Sequence, residues 1–314
     1  MLDVYYLPTG ITPMSSDRRT FLRGLGAAAA GSIAFSSAAT AKHNPAAPPE
    51  HDGFPPAGIT SWGESFEIGK GEISTFSTVT PSENPKYVGV HFSDGALTNL
   101  PSKTDLSNNN DAILLADEYL SLPFNLKFPD NVPAPFKYAG LGWNVEGHPT
   151  VGAYTKPHFD IHFHFHSETE VGGISNHFIP EEKDAYKIGN GQLPDGYRVI
   201  EDGHIIRNMG GHLAPTDAPE FDETGEISDA REWEKTLLWG VADVDKDSTY
   251  DLSFIEPMVT VDYFKNHLHG VQRDTVAQPE AYPQDGYYPT SYEIRDLGND
   301  GYAAVLTDFV YRQA

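Results

Sequence analysis

Residues 157–166 form the segment of the chain best suited to bind a metal ion, because two kinds of side chain alternate along it. The polar positions are His158, Asp160, His162, His164 and His166, and the apolar positions are Phe159, Ile161, Phe163 and Phe165. In a β-strand, alternate side chains point to the same side about 6.6–7 Å apart. The sequence therefore predicts a strand with one apolar face and one face of imidazoles and a carboxylate, which are ligands of Zn²⁺, Cu²⁺, Mn²⁺ and Fe²⁺.

Strand geometry limits which of these residues one ion can bind. His158 and His162 lie about 13 Å apart in a regular strand, so the in-strand pairs are neighbours on the face, such as Asp160 with His162. Burying these polar groups without partners would cost free energy, so we expect them to be solvated, hydrogen-bonded or coordinated to a metal ion. Two interpretations stay open: a metal or catalytic site, and a polar face that lines a wet cleft or a subunit contact.

Further ligands must come from other parts of the chain. His212 follows Gly210 and Gly211, which permit close backbone approach, and His148 and Glu256 are additional candidates. The predicted metal ligands are His158, Asp160, His162, His164 and His212, with Asp160 and Glu256 as candidate catalytic carboxylates. If the protein is an enzyme, a metal-activated water and one of these carboxylates would catalyse hydration or hydrolysis.

The rest of the chain predicts the scaffold that positions these residues. Short alternating runs bounded by turn residues predict strands at 87–92, 138–143, 253–255 and 302–311. Helical periodicity is confined to residues 260–269 and 228–235. We predict a mainly β protein, a single compact antiparallel barrel- or sandwich-like domain with long loops and one or two short helices. Residues 243–247 repeat aspartate at alternate positions, but lack the glycine and glutamate of a Ca²⁺ loop, which favours an acidic hairpin turn.

Composition excludes several classes of function. The chain has 314 residues, 21 Lys+Arg against 45 Asp+Glu and a formal net charge of −24, which argues against nucleic-acid binding and against an anionic membrane surface. Charge of this density is typical of proteins from high-salt environments, where it is screened. Because the chain has 0 Cys, disulfides, thiolate metal sites, cysteine nucleophiles and lipidated cysteines are excluded.

The first 41 residues have the pattern of an export signal. Arg18 and Arg19 precede a mildly apolar stretch, 24–39, and a small-x-small cleavage pattern at 39–41. Paired arginines favour the twin-arginine (Tat) route, with Met14 as the true start, so the Tat translocase is an expected transient partner. We expect a secreted protein without stable membrane insertion, with a flexible leader at 42–61 and the β-rich domain at 62–314.

Several motifs together are similar to one family. They are Gly142-Trp143-Asn144, Gly147-His148-Pro149, Pro157-His158-Phe159-Asp160-Ile161-His162-Phe163, Met209-Gly210-Gly211-His212, Pro219-Glu220-Phe221, Phe254-Ile255-Glu256-Pro257-Met258 and Gly286-Tyr287-Tyr288-Pro289-Thr290-Ser291-Tyr292. In this order they resemble an uncharacterised secreted domain-of-unknown-function family of bacteria and archaea, with a structural representative from Thermus. The resemblance implies a β-rich secreted domain that self-associates, and it brings no established reaction.

The chain departs from that family pattern at His164 and His166, where aromatic or apolar residues are expected, and at Leu213. His158, Asp160, His162 and His212 are therefore the site residues that the resemblance supports best. Local similarities to the His-x-His of α-carbonic anhydrases and to the first cupin motif are weaker, since the cupin glycines are missing. The competing hypothesis is a non-catalytic oligomeric envelope protein or small-ligand binder whose histidine face is a subunit contact.

Overall fold

The protein is a two-sheet β-structure in the residues that its computed structural model describes. These are residues 53–115, 118–149, 153–174, 177–178, 187–200, 204–221 and 233–314. The predicted signal peptide, residues 1–41, and residues 42–52 of the predicted leader lie outside the described residues.

Sixteen strands follow one another along the described part of the chain. They are β1 (Thr60–Ile68), β2 (Gly71–Val79), β3 (Pro85–Phe92), β4 (Ile113–Leu115), β5 (Tyr119–Lys127), β6 (Tyr138–Asn144), β7 (His158–His164), β8 (His177–Phe178), β9 (Tyr197–Val199), β10 (His204–Ile205), β11 (Gly211–Pro215), β12 (Lys235–Ala242), β13 (Asp251–Thr260), β14 (Val271–Thr275), β15 (Gly286–Asp296) and β16 (Tyr302–Arg312). The helical elements are α1 (Lys103–Ser107), α2 (Glu168–Val171), a π-helix (Tyr263–His267) and a 3-10 turn (Gly298–Asp300).

The strands form two large antiparallel sheets and one small pair. The first sheet has the order β1-β2-β3-β16-β15-β14, and the second has the order β4-β5-β6-β7-β13-β12-β11-β9. Strands β8 and β10 pair separately. Within the described residues, each large sheet ends in an edge strand that pairs on one side only, so the architecture is a sandwich and not a closed barrel. The prediction of a mainly β antiparallel domain is confirmed.

The main core lies between the two large sheets. Phe92 of β3 contacts Phe159 of β7 edge-on, with ring centroids 5.2 Å apart. Phe159, Ile161 and Phe163 are all completely buried in this core. Burying side chains of this size contributes about 1.5–3 kcal/mol each. The apolar face of β7 therefore fixes the strand against the opposite sheet.

Several predicted elements occur where the sequence placed them. The predicted strands at 87–92, 138–143, 253–255 and 302–311 lie within β3, β6, β13 and β16. Residues 243–247 connect β12 to β13 as a turn, as predicted. The folded region begins slightly before the predicted boundary at Trp62, since β1 starts at Thr60 and Phe54 packs edge-on against Tyr87, at 5.1 Å.

The two predicted helices are the elements that differ most. Thr260 is the last residue of β13, residues 261–267 are helical, and Tyr263–His267 within them form the π-helix. The hydroxyl of Thr260 accepts a hydrogen bond from the backbone N–H of Tyr263, at 3.1 Å, where the chain leaves the strand. Of the helix predicted at 228–235, residues 228–232 lie outside the described residues and Lys235 begins β12. Sequence analysis did not predict α1 and α2.

Candidate metal sites

The polar face of β7 is buried as completely as its apolar face. β7 lies between β6 and β13 in the eight-stranded sheet, and every residue from His158 to His164 is buried. On the polar side, Trp233 lies edge-on over His158, with centroids 4.9 Å apart, and Tyr154 packs against Trp233. The predicted two-faced strand is confirmed over His158–His164, whereas Phe165 and His166, predicted to continue it, lie beyond its end. The residues packed over the polar face exclude its histidines from water.

Glycines on β6 make room for this face. Gly142 pairs with Asp160, and a Cβ at Gly142 would lie 3.3 Å from Asp160 Oδ2. Gly140 pairs with His162, and a Cβ at Gly140 would lie 3.1 Å from the ring of His164. Contacts this short force a neighbouring side chain to shift. Side chains at these two positions of β6 would therefore compete with the imidazoles and the carboxylate for the same space. Sequence analysis did not identify this role of Gly140 and Gly142.

Three strands of this sheet bring together what we call the glutamate site: His162 on β7, Glu256 on the adjacent β13, and His212 on β11, which β12 separates from β13. One candidate ligand atom from each residue lies within 4.8 Å of the other two. His162 Nε2 is 3.1 Å from Glu256 Oε1, and His212 Nε2 is 3.5 Å from Glu256 Oε2. All three side chains are buried, so solvent does not screen their interactions.

The ring of His162 is oriented by the backbone. Its Nδ1 lies 3.1 Å from the carbonyl oxygen of Gly140, and because a carbonyl only accepts, Nδ1 carries the proton. Burial lowers the pKa of His162 to about 4, against a smaller opposing effect of Asp160, so the ring is neutral near pH 7. Nε2 therefore presents a lone pair towards Glu256 and, among the described residues, has no hydrogen-bond partner.

A second group, which we call the aspartate site, consists of His148, His158 and Asp160, and its candidate ligand atoms also lie within 4.8 Å of one another. His158 Nε2 is 2.9 Å from Asp160 Oδ1, and His148 Nε2 is 3.4 Å from each oxygen of that carboxylate. Nδ1 of His158 donates to the carbonyl oxygen of Lys156, at 2.7 Å, and Nδ1 of His148 donates to that of Pro149, at 2.5 Å.

The aspartate site holds its carboxylate ionised. Burial alone would raise the pKa of Asp160, but the adjacent His148 and His158 outweigh burial and hold that pKa well below its usual range. Burial lowers the pKa of His158, and Asp160 opposes that change in part. Asn144, on β6, donates its amide N–H to Asp160 Oδ2 at 2.7 Å and lies 3.3 Å from His158 Nε2. Its amide oxygen is buried and has no hydrogen-bond partner in the part of the chain that the structure describes.

Each group offers the ligand set of a transition-metal site. Two imidazoles and one carboxylate suit Zn²⁺, Cu²⁺, Mn²⁺ or Fe²⁺, and three protein ligands leave one tetrahedral position for water. In His148, His158 and His162, the hydrogen bonds from Nδ1 to backbone carbonyls fix the tautomer that metal-binding histidines use. The residues therefore could hold a metal ion at either group.

The structure divides the predicted ligand set between the two groups. His162 and His212 come together with Glu256, whereas His158 and Asp160 come together with His148. His164 belongs to neither group in the described residues: its ring stacks on Tyr138, with centroids 4.4 Å apart, and burial, followed by the neighbouring histidines, holds its pKa well below its usual range. His166 is only half-buried and also lies outside both groups.

A third group of possible ligands, Asp243, Asp245 and Asp247, is in the turn between β12 and β13. These carboxylates accept hydrogen bonds from the backbone of the turn itself, including Ser248 N to Asp243 Oδ2 at 3.1 Å and Thr249 N to Asp247 Oδ1 at 2.7 Å. Those bonds account for the aspartates as turn-forming residues, which agrees with the predicted acidic hairpin turn.

Comparisons of the chain with family models, with curated proteins and with solved structures gave no match. The resemblance to the secreted family described above therefore stays a prediction. Among the residues that the structure describes, no helix combines the length and the apolar character needed to cross a membrane.

Proposed function

We propose that the protein is a metal-binding protein in which His162, His212 and Glu256 hold one divalent transition-metal ion. The observation that carries this proposal is the distance of 3.1 Å between His162 Nε2 and Glu256 Oε1. The proton of the His162 ring is on Nδ1, which donates to Gly140, so Nε2 is a hydrogen-bond acceptor. Two hydrogen-bond acceptors at this distance repel one another in a buried site. A cation between them converts the repulsion into two bonds.

The scaffold supports this assignment because the three ligands come from one hydrogen-bonded sheet. His212 pairs with Gly240 of β12, and β12 pairs in turn with β13, which carries Glu256. Strand positions hold side chains more rigidly than loops do, and metal ligands need such support. The carbonyl oxygen of Gly140 supplies the outer contact that orients His162.

Metal content measured by mass spectrometry tests the proposal directly. The full chain would be purified in molar salt without a histidine tag or an immobilised-metal column, and then dialysed against Zn²⁺, Cu²⁺ or Mn²⁺. We expect His162→Ala to lose one equivalent of bound metal. His164→Ala is the matched control, because it removes an equally buried imidazole from the same face of the same strand. A chain that takes up none of the three ions refutes the proposal.

Metal-assisted hydration or hydrolysis is the second candidate function, favoured by the ligand count of three per group. The open coordination position would hold a water whose pKa the ion lowers, with a carboxylate, Asp160 or Glu256, to manage the proton. Hydrolysis of an activated ester by the zinc-loaded chain should be lost in His162→Ala and kept in His164→Ala. Equal rates in both variants would exclude catalysis at this site.

The setting of the site is part of the proposal: an exported, halophilic protein that forms homo-oligomers. The composition, the arginine pair and the family resemblance support it. The histidine face itself does not favour the alternative of a subunit contact, because His158, His162 and His164 are already buried within one chain. Light scattering of His162→Ala separates the alternatives: lost assembly with unchanged metal content would support a subunit contact.

A further inference from the structure

We infer that His148, His158 and Asp160 bind a second divalent metal ion, separate from the ion proposed for the glutamate site. This inference goes beyond the proposed function and does not depend on it, since the two groups share no residue. The chain would then carry two mononuclear sites on one strand.

The first argument is the orientation of the two imidazole rings in the aspartate site. Both histidines donate Nδ1–H to backbone carbonyls, those of Lys156 and Pro149. Nε2 is therefore the ring nitrogen that faces the carboxylate of Asp160, at 2.9 Å for His158 and 3.4 Å for His148. Two imidazole nitrogens and one carboxylate thus lie within 4.8 Å of one another, the ligand set that a divalent cation binds.

The second argument is an orphaned polar atom beside the group. Asn144 is completely buried, and its amide nitrogen accounts for its contacts with Asp160 and His158. Among the described residues, its amide oxygen has no hydrogen-bond partner. Buried polar atoms are rarely left unsatisfied. Asn144 therefore orients the Asp160 carboxylate through its amide nitrogen, and one buried polar atom beside the aspartate site stays unpaired.

The third argument separates the two ions. Asp160 and His162 are two positions apart on β7, so their side chains lie about 6.6–7 Å apart along the strand. Two ions that share bridging ligands need a spacing of about 3.5–4 Å. The strand therefore presents His162 to one ion and His158 with Asp160 to the other, and it does not form a dinuclear centre.

The aspartate site is also the more exposed of the two. The His148 side chain is 14 % exposed, against at most 6 % for any side chain of the glutamate site. His148 lies in the connection from β6 to β7, after Gly147, whose φ is +83° and where a Cβ would lie 2.0 Å from the carbonyl oxygen of Tyr154. This turn requires glycine to place His148 over the strand. We therefore expect the second ion to exchange with solvent faster than the first.

Zinc stoichiometry in matched variants tests the inference. The full chain would be dialysed against Zn²⁺ in molar salt, and the bound zinc would be measured by mass spectrometry. We expect two equivalents in the wild-type chain and in His164→Ala, and one in His148→Ala. His148 lies in a connection and is not part of the apolar core, so its replacement leaves that core intact, and Asp160→Asn provides a second variant of nearly the same size. Release into excess EDTA should occur in a fast and a slow phase, and His148→Ala should lack the fast phase.

The outcomes separate this inference from the proposed function. If the wild-type chain binds one equivalent that is lost in His162→Ala and kept in His148→Ala and Asp160→Asn, the second ion is refuted and the glutamate site stands. If His148→Ala and Asp160→Asn remove zinc while His162→Ala binds as much as wild type, the aspartate site stands and the proposed function fails.

Discussion

Replacing Glu256 with glutamine gives opposite results in the metal-free and the metal-loaded protein. In Glu256→Gln the side chain keeps its size, and its amide can donate a hydrogen bond to the lone pair of His162 Nε2 across the present 3.1 Å. A neutral hydrogen bond of this kind contributes about 0.5–1.5 kcal/mol. The variant treated with a chelator should therefore be more stable than the wild-type chain, by about 2–4 °C in Tm for each kcal/mol.

The metal-loaded proteins should differ in the other direction. At a free Zn²⁺ concentration 100 times the Kd of a site, binding stabilises the folded state by about 2.7 kcal/mol. Glu256→Gln should lose this gain for the glutamate site, because the amide replaces an anionic ligand. Thermal unfolding in molar salt, followed by circular dichroism with chelator and with Zn²⁺, measures both effects.

Glu220→Gln is the matched control. Glu220 is completely buried and accepts a hydrogen bond from the Tyr154 hydroxyl at 3.1 Å, and burial raises its pKa. It belongs to neither metal-binding group, so the zinc-induced gain should be unchanged in this variant. The reasoning is refuted if chelator-treated Glu256→Gln is less stable than wild type and still gains as much from Zn²⁺. Glu256 would then be a structural hydrogen-bonding group.

Three further predictions concern pH, packing and salt. The pKa of His162 is about 4 in the folded chain and about 6.5 in the unfolded chain, so the unfolded chain takes up the proton first as the pH falls. The free energy of unfolding of the metal-free protein should therefore fall by about 3 kcal/mol between pH 6.5 and 4. Urea titrations of His162→Gln should lack this contribution. Gly142→Ala places a Cβ 3.3 Å from Asp160 Oδ2, so zinc affinity at the aspartate site should fall while that of the glutamate site is kept, which calorimetric titration would show. Transfer from 1 M to 0.1 M salt lengthens the screening distance from about 3 to about 10 Å. Because the chain has a net charge of −24, repulsion among its charges should then lower the Tm. An unchanged Tm would contradict the halophilic interpretation.

Sequence alone predicted the strand that carries the site, because period-two alternation is a local property. The apolar set Phe159, Ile161 and Phe163 can only face a core, so the polar set must face the other way. The same argument predicted most of the strands around it. The predicted helix at 260–269 was only partly right, since Thr260 continues β13 through pairing with His158, a contact about 100 residues away in sequence.

The division of the ligands could not be predicted, because it depends on strand order. His212 reaches His162 only through the sheet order β7-β13-β12-β11, and periodicity does not encode that order. His148 was one candidate among several, and nothing in its local sequence distinguishes a ligand from a turn residue. The roles of Gly140 and Gly142 are visible only once β6 is paired with β7.

The spacing of a β-strand explains why one histidine-rich segment leads to two groups and not to one. Asp160 and His162 share a face, but each meets different neighbours: the connection before β7 brings His148 to Asp160, whereas β13 brings Glu256 to His162. Each group thereby acquires one carboxylate, so a bound dication leaves a net charge of +1 at each site and not +2. Two ions about 7 Å apart repel less when each is half neutralised. One carboxylate from β7, Asp160, and one from β13, Glu256, therefore suit two neighbouring cations better than an unbroken row of histidines would.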